Sequence, residues 1–426
     1  MARENFWKPL ESVVNQFKLR GSWGELGNQN TSNLYPFYEI LPVKSNSGNW
    51  LVNGGKTNTA DIPSLVSTLL TWERVRSFNV GFDFGAFSNR LTGSFDYFVR
   101  KTVDMVGPAP QLPLVLGIAP AIVNNADMKS YGFEIELSWR DRIGEVDYGV
   151  KFNLADAQQK VVKYPNTTNA FNDWYAGKMS GEIWGYTSLG IAKTDEEMKE
   201  HLASLPNGGQ NQLGNKWGAG DIMYADINGD GKVDGGKGTL ADPGDQRIIG
   251  NSTPRYNFGL VLDASYKGFD VSIFFQGVGK RDYAPIVGTN GAVFWGAVNN
   301  IWQSMAMEEH FDYFRPEGHP MGANLNGYYP RPDFTSNKNH QVQTRYLQDA
   351  SYIRLKNLQI GYTLPKQWIN KLHINRCRVY VSGDNLWTGT SLASMFDPET
   401  LAAGDWGSGK TYPLSKVISF GLNVNF

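Results

Sequence analysis

The chain has 426 residues, with 40 Lys and Arg against 41 Asp and Glu, a net charge of -1. That balance excludes the strongly basic surface of a nucleic-acid binder or of a protein held to lipid headgroups by charge. A single cysteine, Cys377, excludes an intramolecular disulfide and a thiolate metal cluster. Aromatic residues make up 13% of the chain, charged residues only 19%, and there are 47 glycines. The mean hydropathy of -0.38 suits a chain whose strands are polar on one face. The length is enough for one large domain or two to three ordinary ones. No run of ~18 apolar residues is present, so no helix is expected to span a bilayer. The first residues hold no charged segment followed by an apolar one, so no signal peptide is expected. An exported chain without an export signal implies a fragment.

Residues 1 to 15 read as irregular, with Phe6 and Trp7 early. A first strand is predicted near Phe17 to Gly24, with Phe17, Leu19 and Trp23 opposite Lys18, Arg20 and Ser22. The Asn-, Ser-, Gly- and Pro-rich stretch 28–67 reads as loop. A second strand, Glu73 to Phe87, sets Phe78, Val80, Phe82 and Phe84 against Asn79, Gly81, Asp83 and Gly85. A turn at Ser88-Asn89-Arg90 leads to a third, with Leu91, Phe95, Tyr97 and Val99 on one face. Beyond the 107–120 loop, Tyr131 to Arg140 and Val146 to Leu154 form a fourth and fifth strand around the short turn 141–145. Residues 164–252 are the longest insertion. A short helix is predicted there from Asp195 to Leu205, with Thr194 as N-cap and Glu197 completing a capping box. Strands resume at Tyr256 to Ser265 and, across the Lys267-Gly268 turn, at Phe269 to Phe275. After the 282–350 loop come Tyr352 to Leu364 and Arg376 to Trp387, then the 388–413 loop. The last stretch, Lys416 to Phe426, alternates Ile418, Phe420, Leu422, Val424 and Phe426 with Ser419, Gly421, Asn423 and Asn425.

A period of two with every large apolar group on one side fits a sheet with one greasy and one wet face. Most of these strands supply the ~9–11 residues needed to cross a bilayer, against ~5–6 in ordinary globular sheets. Connections alternate short and long: short at 88–90, 141–145, 267–268 and 365–375, long at 28–67, 107–124, 164–252, 282–350 and 388–413. Outer-membrane barrels sort their connections in this way, short turns on the periplasmic side and long loops outside. The expected fold class is therefore all-β: an antiparallel transmembrane β-barrel portion of about ten strands with long extracellular loops. Such a portion, standing alone, would carry two raw sheet edges, whose partners are expected upstream of Met1.

One motif points to a metal. Asp226, Asn228, Asp230, Gly231, Lys232 and Asp234 follow the opening of a calcium loop, D-x-N-x-D-G-x-x-D. Oxygens at the first, third and fifth positions suit a hard cation, Gly231 permits the sharp turn, and Lys232 would offer its carbonyl. The twelfth position holds Lys237 rather than Glu, and the insertion 235–243 could pass that role to Asp245. The expectation is a structural calcium ion pinning the longest loop; the alternative is an ion-free Asn/Gly turn.

Other candidates are weaker. His201, His310, His319, His340 and His373 show no ligand spacing and read as ordinary surface or loop residues. Glu134 and Glu136 share a face, which suggests a glycosidase pair or, more simply, polar residues lining a lumen. Trp174, Tyr175, Tyr283, Trp295, Trp302, Tyr328 and Tyr329 sit in long loops, where aromatic rings contact sugars or pin the loop. Nucleotide-binding loops and serine-hydrolase motifs are missing, and no catalytic residue is assigned.

Several segments resemble the C-terminal barrel region of the SusC/RagA family of TonB-dependent outer-membrane transporters of Bacteroidetes. They are residues 17–29 (FKLRGSWGELGNQ), Trp72-Glu73-Arg74, residues 125–134 (NADMKSYGFE), residues 220–231, residues 248–256 (IIGNSTPRY), residues 352–362 (YIRLKNLQIGY) and the ending at Phe426. The resemblance spans essentially the whole chain. It implies a C-terminal share, residues 1–426, of a barrel of about 22 strands, with the plug domain and N-terminal strands outside the chain. It further implies an outer-membrane location, a SusD-like surface lipoprotein as lid, contact with TonB through the missing N-terminal region, and uptake of oligosaccharides or peptides. The family's calcium-like loop falls on Asp226, Asn228 and Asp230. A reading of another class is a secreted, calcium-stabilised β-protein that binds glycan without transport.

Overall fold

The computed structural model describes residues 4–28, 38–63, 65–67, 70–107, 113, 115, 117–118, 120–285, 292–296, 306–334, 337–370, 373–401 and 412–426. Ten long strands form one antiparallel sheet in chain order. They are β1 (Val14–Asn28), β2 (Glu73–Ala86), β3 (Leu91–Gly107), β4 (Val123–Ile143) and β5 (Val146–Lys163). The second half comprises β6 (Arg255–Tyr266), β7 (Phe269–Lys280), β8 (Tyr352–Thr363), β9 (Arg376–Thr390) and β10 (Val417–Asn425). Among the described residues, β1 and β10 are the sheet edges, and no helix is long and apolar enough to cross a membrane.

The register explains why these residues form strands together. Phe17, Phe84, Gly93, Leu137, Phe152, Leu260, Phe275, Leu355 and Trp387 stand opposite one another strand by strand, in one row across nine strands. A slip of one residue anywhere would turn that strand's apolar set onto the polar face. Gly93 is the gap in the row: a Cβ there would meet the Phe84 ring at 2.6 Å and Leu137 at 2.8 Å. The Phe82 ring stacks against Phe17 at 5.8 Å and Phe95 at 5.6 Å. The Lys267-Gly268 turn has positive φ at both residues, 47° and 91°, the conformation that a twisted two-residue hairpin requires.

Strand ends differ from the sequence reading. β3 runs on to Gly107, β4 starts at Val123 and β5 reaches Lys163, beyond the stretches of clean alternation. The helix α1 (Asp195–Ala203) begins as expected, with Thr194 accepting the Glu197 N–H at 3.1 Å. The Glu197 carboxylate accepts the N–H of Lys193 at 2.6 Å rather than that of the N-cap itself. The stretch read as plain loop, 28–67, carries two small ladders, Val43–Lys44 with Thr59–Ala60 and Leu51–Val52 with Gly55–Lys56.

The main cluster of buried hydrophobic residues lies outside the long strands. Tyr186, Leu205, Ile222, Tyr224, Phe294, Trp295, Tyr329, Tyr346, Leu392 and Phe396 belong to it, all from the long connections. The described residues of 164–254, 281–351 and 391–401 thus fold against one another as a cap on one end of the sheet.

Candidate functional site: the bare sheet face and its loop cap

The apolar face of the sheet is uncovered among the described residues. Trp23 is 72% exposed, Phe78 48% and Phe420 82%, and Leu19, Val80, Ile360, Val381, Leu422 and Phe426 are exposed too. An open face of this size in water would be strongly unfavourable, and large exposed apolar patches mark contact with a partner or a membrane. Both margins of the band carry amphipathic rings. At the short-turn end, Trp139 donates its indole N–H to the Tyr148 hydroxyl at 3.1 Å, and Phe269 packs on Tyr362 at 4.5 Å. At the loop end, Trp23, Trp72 and Trp387 are exposed. Two aromatic girdles flanking an apolar band are the signature of a strand sheet in a bilayer. Lipid supplies no hydrogen bonds, so the backbone must be paired strand to strand, as it is here across ten strands.

The opposite face is polar and cross-linked. Arg20 reaches Asp83 at 2.8 Å and Asp96 at 2.6 Å. Arg378 pairs with Asp270, and Arg255 with Asp156. Glu134 stands opposite Asp96, and Glu136 opposite Ser94 and Asn153, on this same face. Their position is that of lumen-lining polar groups.

The cap is held by ion pairs that the sequence does not reveal. Asp221 is fully buried and accepts from Arg331 at 2.9 and 2.7 Å, Lys338 at 2.9 Å and Asn339 at 2.9 Å. Arg354, also buried, donates to Asp397 at 2.9 Å and faces Glu399 at 3.0 Å, tying 391–401 to β8. These partners are far apart in the chain, so no local spacing signals them. Most loop aromatics are consumed by the cap: Tyr283, Trp295 and Tyr329 are buried, and Tyr328 accepts contacts from the Tyr346 and Phe294 rings. Tyr175 donates to Glu182 at 2.5 Å, Trp174 is exposed, and Trp302 lies outside the described residues. His340 lies in a loop, one half of the reading given to the histidines, but not at the surface. It is only 4% exposed, packed 4.5 Å from Trp295, and burial pushes its imidazole down to about 4. His310 is also built into the cap, its Nδ1 accepting the Met307 N–H at 2.9 Å.

The candidate calcium residues form a tight loop. The Asp226 carboxylate accepts the N–H groups of Gly229 at 2.6 Å and Gly231 at 2.8 Å. Asn228 accepts from Asp230 N–H at 3.0 Å and Asp230 from Lys232 N–H at 3.1 Å. The Lys232 ammonium pairs with Asp234 and holds that carboxyl below the usual range. Asp245 is buried, which pushes its carboxyl up, and it accepts from Ile227 at 2.7 Å and Asp234 at 2.8 Å. Among the described residues, no group of three or more His, Cys, Asp or Glu side chains converges as a metal cluster. Asp226, Asn228 and Asp230 accept from N–H groups of the turn itself, whereas Asp245 clips the backbone on either side of it and Asp234 is engaged by Lys232.

A paired sheet that is apolar and bare outside, polar inside and capped at one end defines a wall of an outer-membrane β-barrel. Residues 6–386 match the family described as TonB dependent receptor-like, beta-barrel, and the chain belongs to that family. It is 29% identical, over its full length, to TonB-dependent receptor P3 of Formosa agariphila and 21% identical to the TonB-dependent receptor SusC of Bacteroides thetaiotaomicron. It spans 41% and 39% of those two proteins. The solved RagAB peptide transporter shares the fold, with a TM-score of 0.69 and 22% identity over 97% of this chain and 41% of that one. The relatives are outer-membrane receptors and transporters rather than enzymes, so the glycosidase reading of Glu134 and Glu136 is set aside. The secreted alternative is likewise not favoured.

Proposed function

We propose that the chain forms the C-terminal wall and cap of a TonB-driven importer of oligosaccharides or peptides. The observation that carries this reading is the separation of apolar groups: the packed core sits in the loops and the sheet's apolar face is bare. A SusD-like surface lipoprotein would seat on the cap, and TonB would engage a region N-terminal to this chain. The relatedness to a TonB-dependent receptor, SusC, supports the coupling to TonB, and the fold shared with the RagAB peptide transporter is in keeping with a peptide substrate. The test is growth of a strain lacking the whole gene on peptide mixtures and on glycans as sole nutrient. Loss of growth on one class, restored by the whole gene, supports the reading. Unimpaired growth together with unchanged outer-membrane uptake of both classes contradicts it.

We further propose a structural calcium ion held by Asp226, Asn228 and Asp230 with the Lys232 carbonyl. Their oxygens are already oriented by N–H groups within the turn, and each carboxylate oxygen keeps a second lone pair for a hard cation. Gly231, with φ of 80°, provides the sharp bend. Asp234 and Asp245 would support the loop around the ion. The ion would neutralise the acidic turn; it supplies no chemistry to transport.

A further inference from the structure

Where the apolar band of the sheet meets the long loops, lysines stand in line across neighbouring strands. The register sets Arg76 of β2 opposite Lys101 of β3, Lys101 opposite Lys129 of β4, and Lys129 opposite Lys160 of β5. The next row on the same face, two residues towards the short turns, is Phe78, Val99, Tyr131 and Gln158. We propose that Lys101, Lys129 and Lys160 bind the phosphate-bearing headgroup of a lipid in the outer leaflet. The inference rests on the outer-membrane placement of the sheet and not on which nutrient is imported.

Three observations carry it. The first is alternation: Lys101 and Lys129 lie two residues from Val99 and Tyr131, so they belong to the bare apolar face and not to the lumen. The second is uncompensated charge. Like charges directly opposite one another on neighbouring strands repel. The carboxylates of this margin are already engaged: Glu25 takes Arg76 at 2.6 Å, Asp104 takes Arg74 at 3.0 Å, and Asp127 accepts the N–H of Asp104 at 2.9 Å. Among the described residues, Lys101, Lys129 and Lys160 form no ion pair, and the Lys129 ammonium lies 5.0 Å over the Tyr131 ring. The third is position. β3 runs on from Lys101 into a long connection, and β5 runs on from Lys160 into the longest one. Long connections mark the outer side of such a barrel, so the row sits at headgroup level of the outer leaflet. A lysine stem lies along apolar surface and carries its ammonium to that level, where a phosphate accepts charge-assisted hydrogen bonds. Neighbouring strands are about 4.8 Å apart, so the three lysines span about 10 Å, room for two phosphates. Free phosphate would meet these charges alone. A lipid also lays its chains on the apolar band beneath them.

The test titrates the whole protein in detergent micelles with diphosphoryl lipid A, its dephosphorylated form and inorganic phosphate, read by native mass spectrometry. Saturable binding of the diphosphoryl lipid is expected, with the dephosphorylated form much weaker. Lys101→Gln, Lys129→Gln and Lys160→Gln should each weaken binding about fivefold, and the three together about a hundredfold. Arginine at all three positions should keep it, which separates lost charge from a misfolded variant. Lys199→Gln, on the cap helix α1, should change nothing. Millimolar inorganic phosphate should leave the lipid bound. Absence of saturable binding, equal affinity for the dephosphorylated lipid, indifference to the triple glutamine variant, loss in the triple arginine variant or displacement by inorganic phosphate would overturn the inference. Uptake is a separate measurement. A triple glutamine variant that loses the lipid and still imports, or a protein that binds the lipid and imports nothing, separates this inference from the transport reading.

Discussion

Arg20 on β1 meets Asp96 on β3 at 2.6 Å by passing over the intervening strand at Gly81. A Cβ on Gly81 would lie 2.5 Å from the Phe95 carbonyl oxygen and against the Asp96 carboxylate. The same device recurs on the other side of the sheet. Arg378 on β9 crosses Gly361 on β8 to reach Asp270 on β7. A Cβ on Gly361 would come 2.5 Å from the Arg378 Nε. Each glycine is a slot that lets one guanidinium bind a carboxylate two strands away. Gly361→Val should therefore displace Arg378 and cost about 1–3 kcal/mol, measured as a lower urea midpoint in lipid vesicles. Combined with Asp270→Asn, the loss should be well short of additive, because both changes remove one contact. Simple additivity would show that the slot serves something else.

Asp221 is the anion that two cap segments share. Asp221→Asn leaves the Lys338 ammonium buried and Arg331 without its partner, a change expected to cost about 3–5 kcal/mol. The cap should open while the sheet stays paired. Trypsin should then cut after Lys338 in the variant and spare that bond in the parent protein. Equal resistance in the two would contradict the role given to this carboxylate.

His340 gives the cap a pH dependence whose sign is fixed. Its folded pKa of about 4 lies below the ordinary 6.5, so the unfolded chain binds the extra proton first. The contribution is complete above pH 6.5 and is lost as pH falls towards 4, by about 1.4 kcal/mol per unit. Hydrogen exchange of cap amides at pH 7 and pH 5, corrected for intrinsic rates, should show local opening becoming easier at the lower pH. His340→Phe should flatten that slope. An unchanged slope in the variant would assign it to other groups.

Calcium should act on the cap alone. With the ion at 100 times its dissociation constant, the loop that binds it gains about 2.7 kcal/mol. A chelator should lower the unfolding temperature of the cap, and Asp226→Ala should remove the difference between chelated and calcium-supplied protein. Identical melting of the parent protein with and without calcium would leave the turn to the Lys232 ammonium.

The strands were legible in the sequence because the two faces meet different solvents. Alternation such as Phe78, Val80, Phe82, Phe84 survives only where one face stays apolar. It fades beyond the apolar band, so the clean alternation stops short of the far ends of β3, β4 and β5. The short turns were legible from Lys267-Gly268 and Ser88-Asn89, whose residues favour or tolerate positive φ. The cap was not legible. Asp221 finds Arg331 110 residues away and Asn339 118 residues away, and no local period encodes such a meeting. Loop aromatics and histidines look alike in sequence whether they face ligand or core. His340 differs from an exposed histidine only by what folds over it. The Asp226–Asp234 turn is legible as a candidate calcium motif because its residues are local, whereas the direction of Asp245, set by the chain around it, is not.

The central claim is that lipid covers the apolar face of the sheet. Spin labels placed singly at Phe78, Asn79, Val80, Gly81 and Phe82 of the whole protein in bilayers test it most directly, through collision with oxygen and with a water-soluble nickel complex. The account predicts strict alternation, with labels at Phe78, Val80 and Phe82 open to oxygen and closed to nickel, and labels at Asn79 and Gly81 showing the reverse preference. Labels at Phe78, Val80 and Phe82 that are immobile and closed to both reagents would mean that protein covers this face, and would contradict the account.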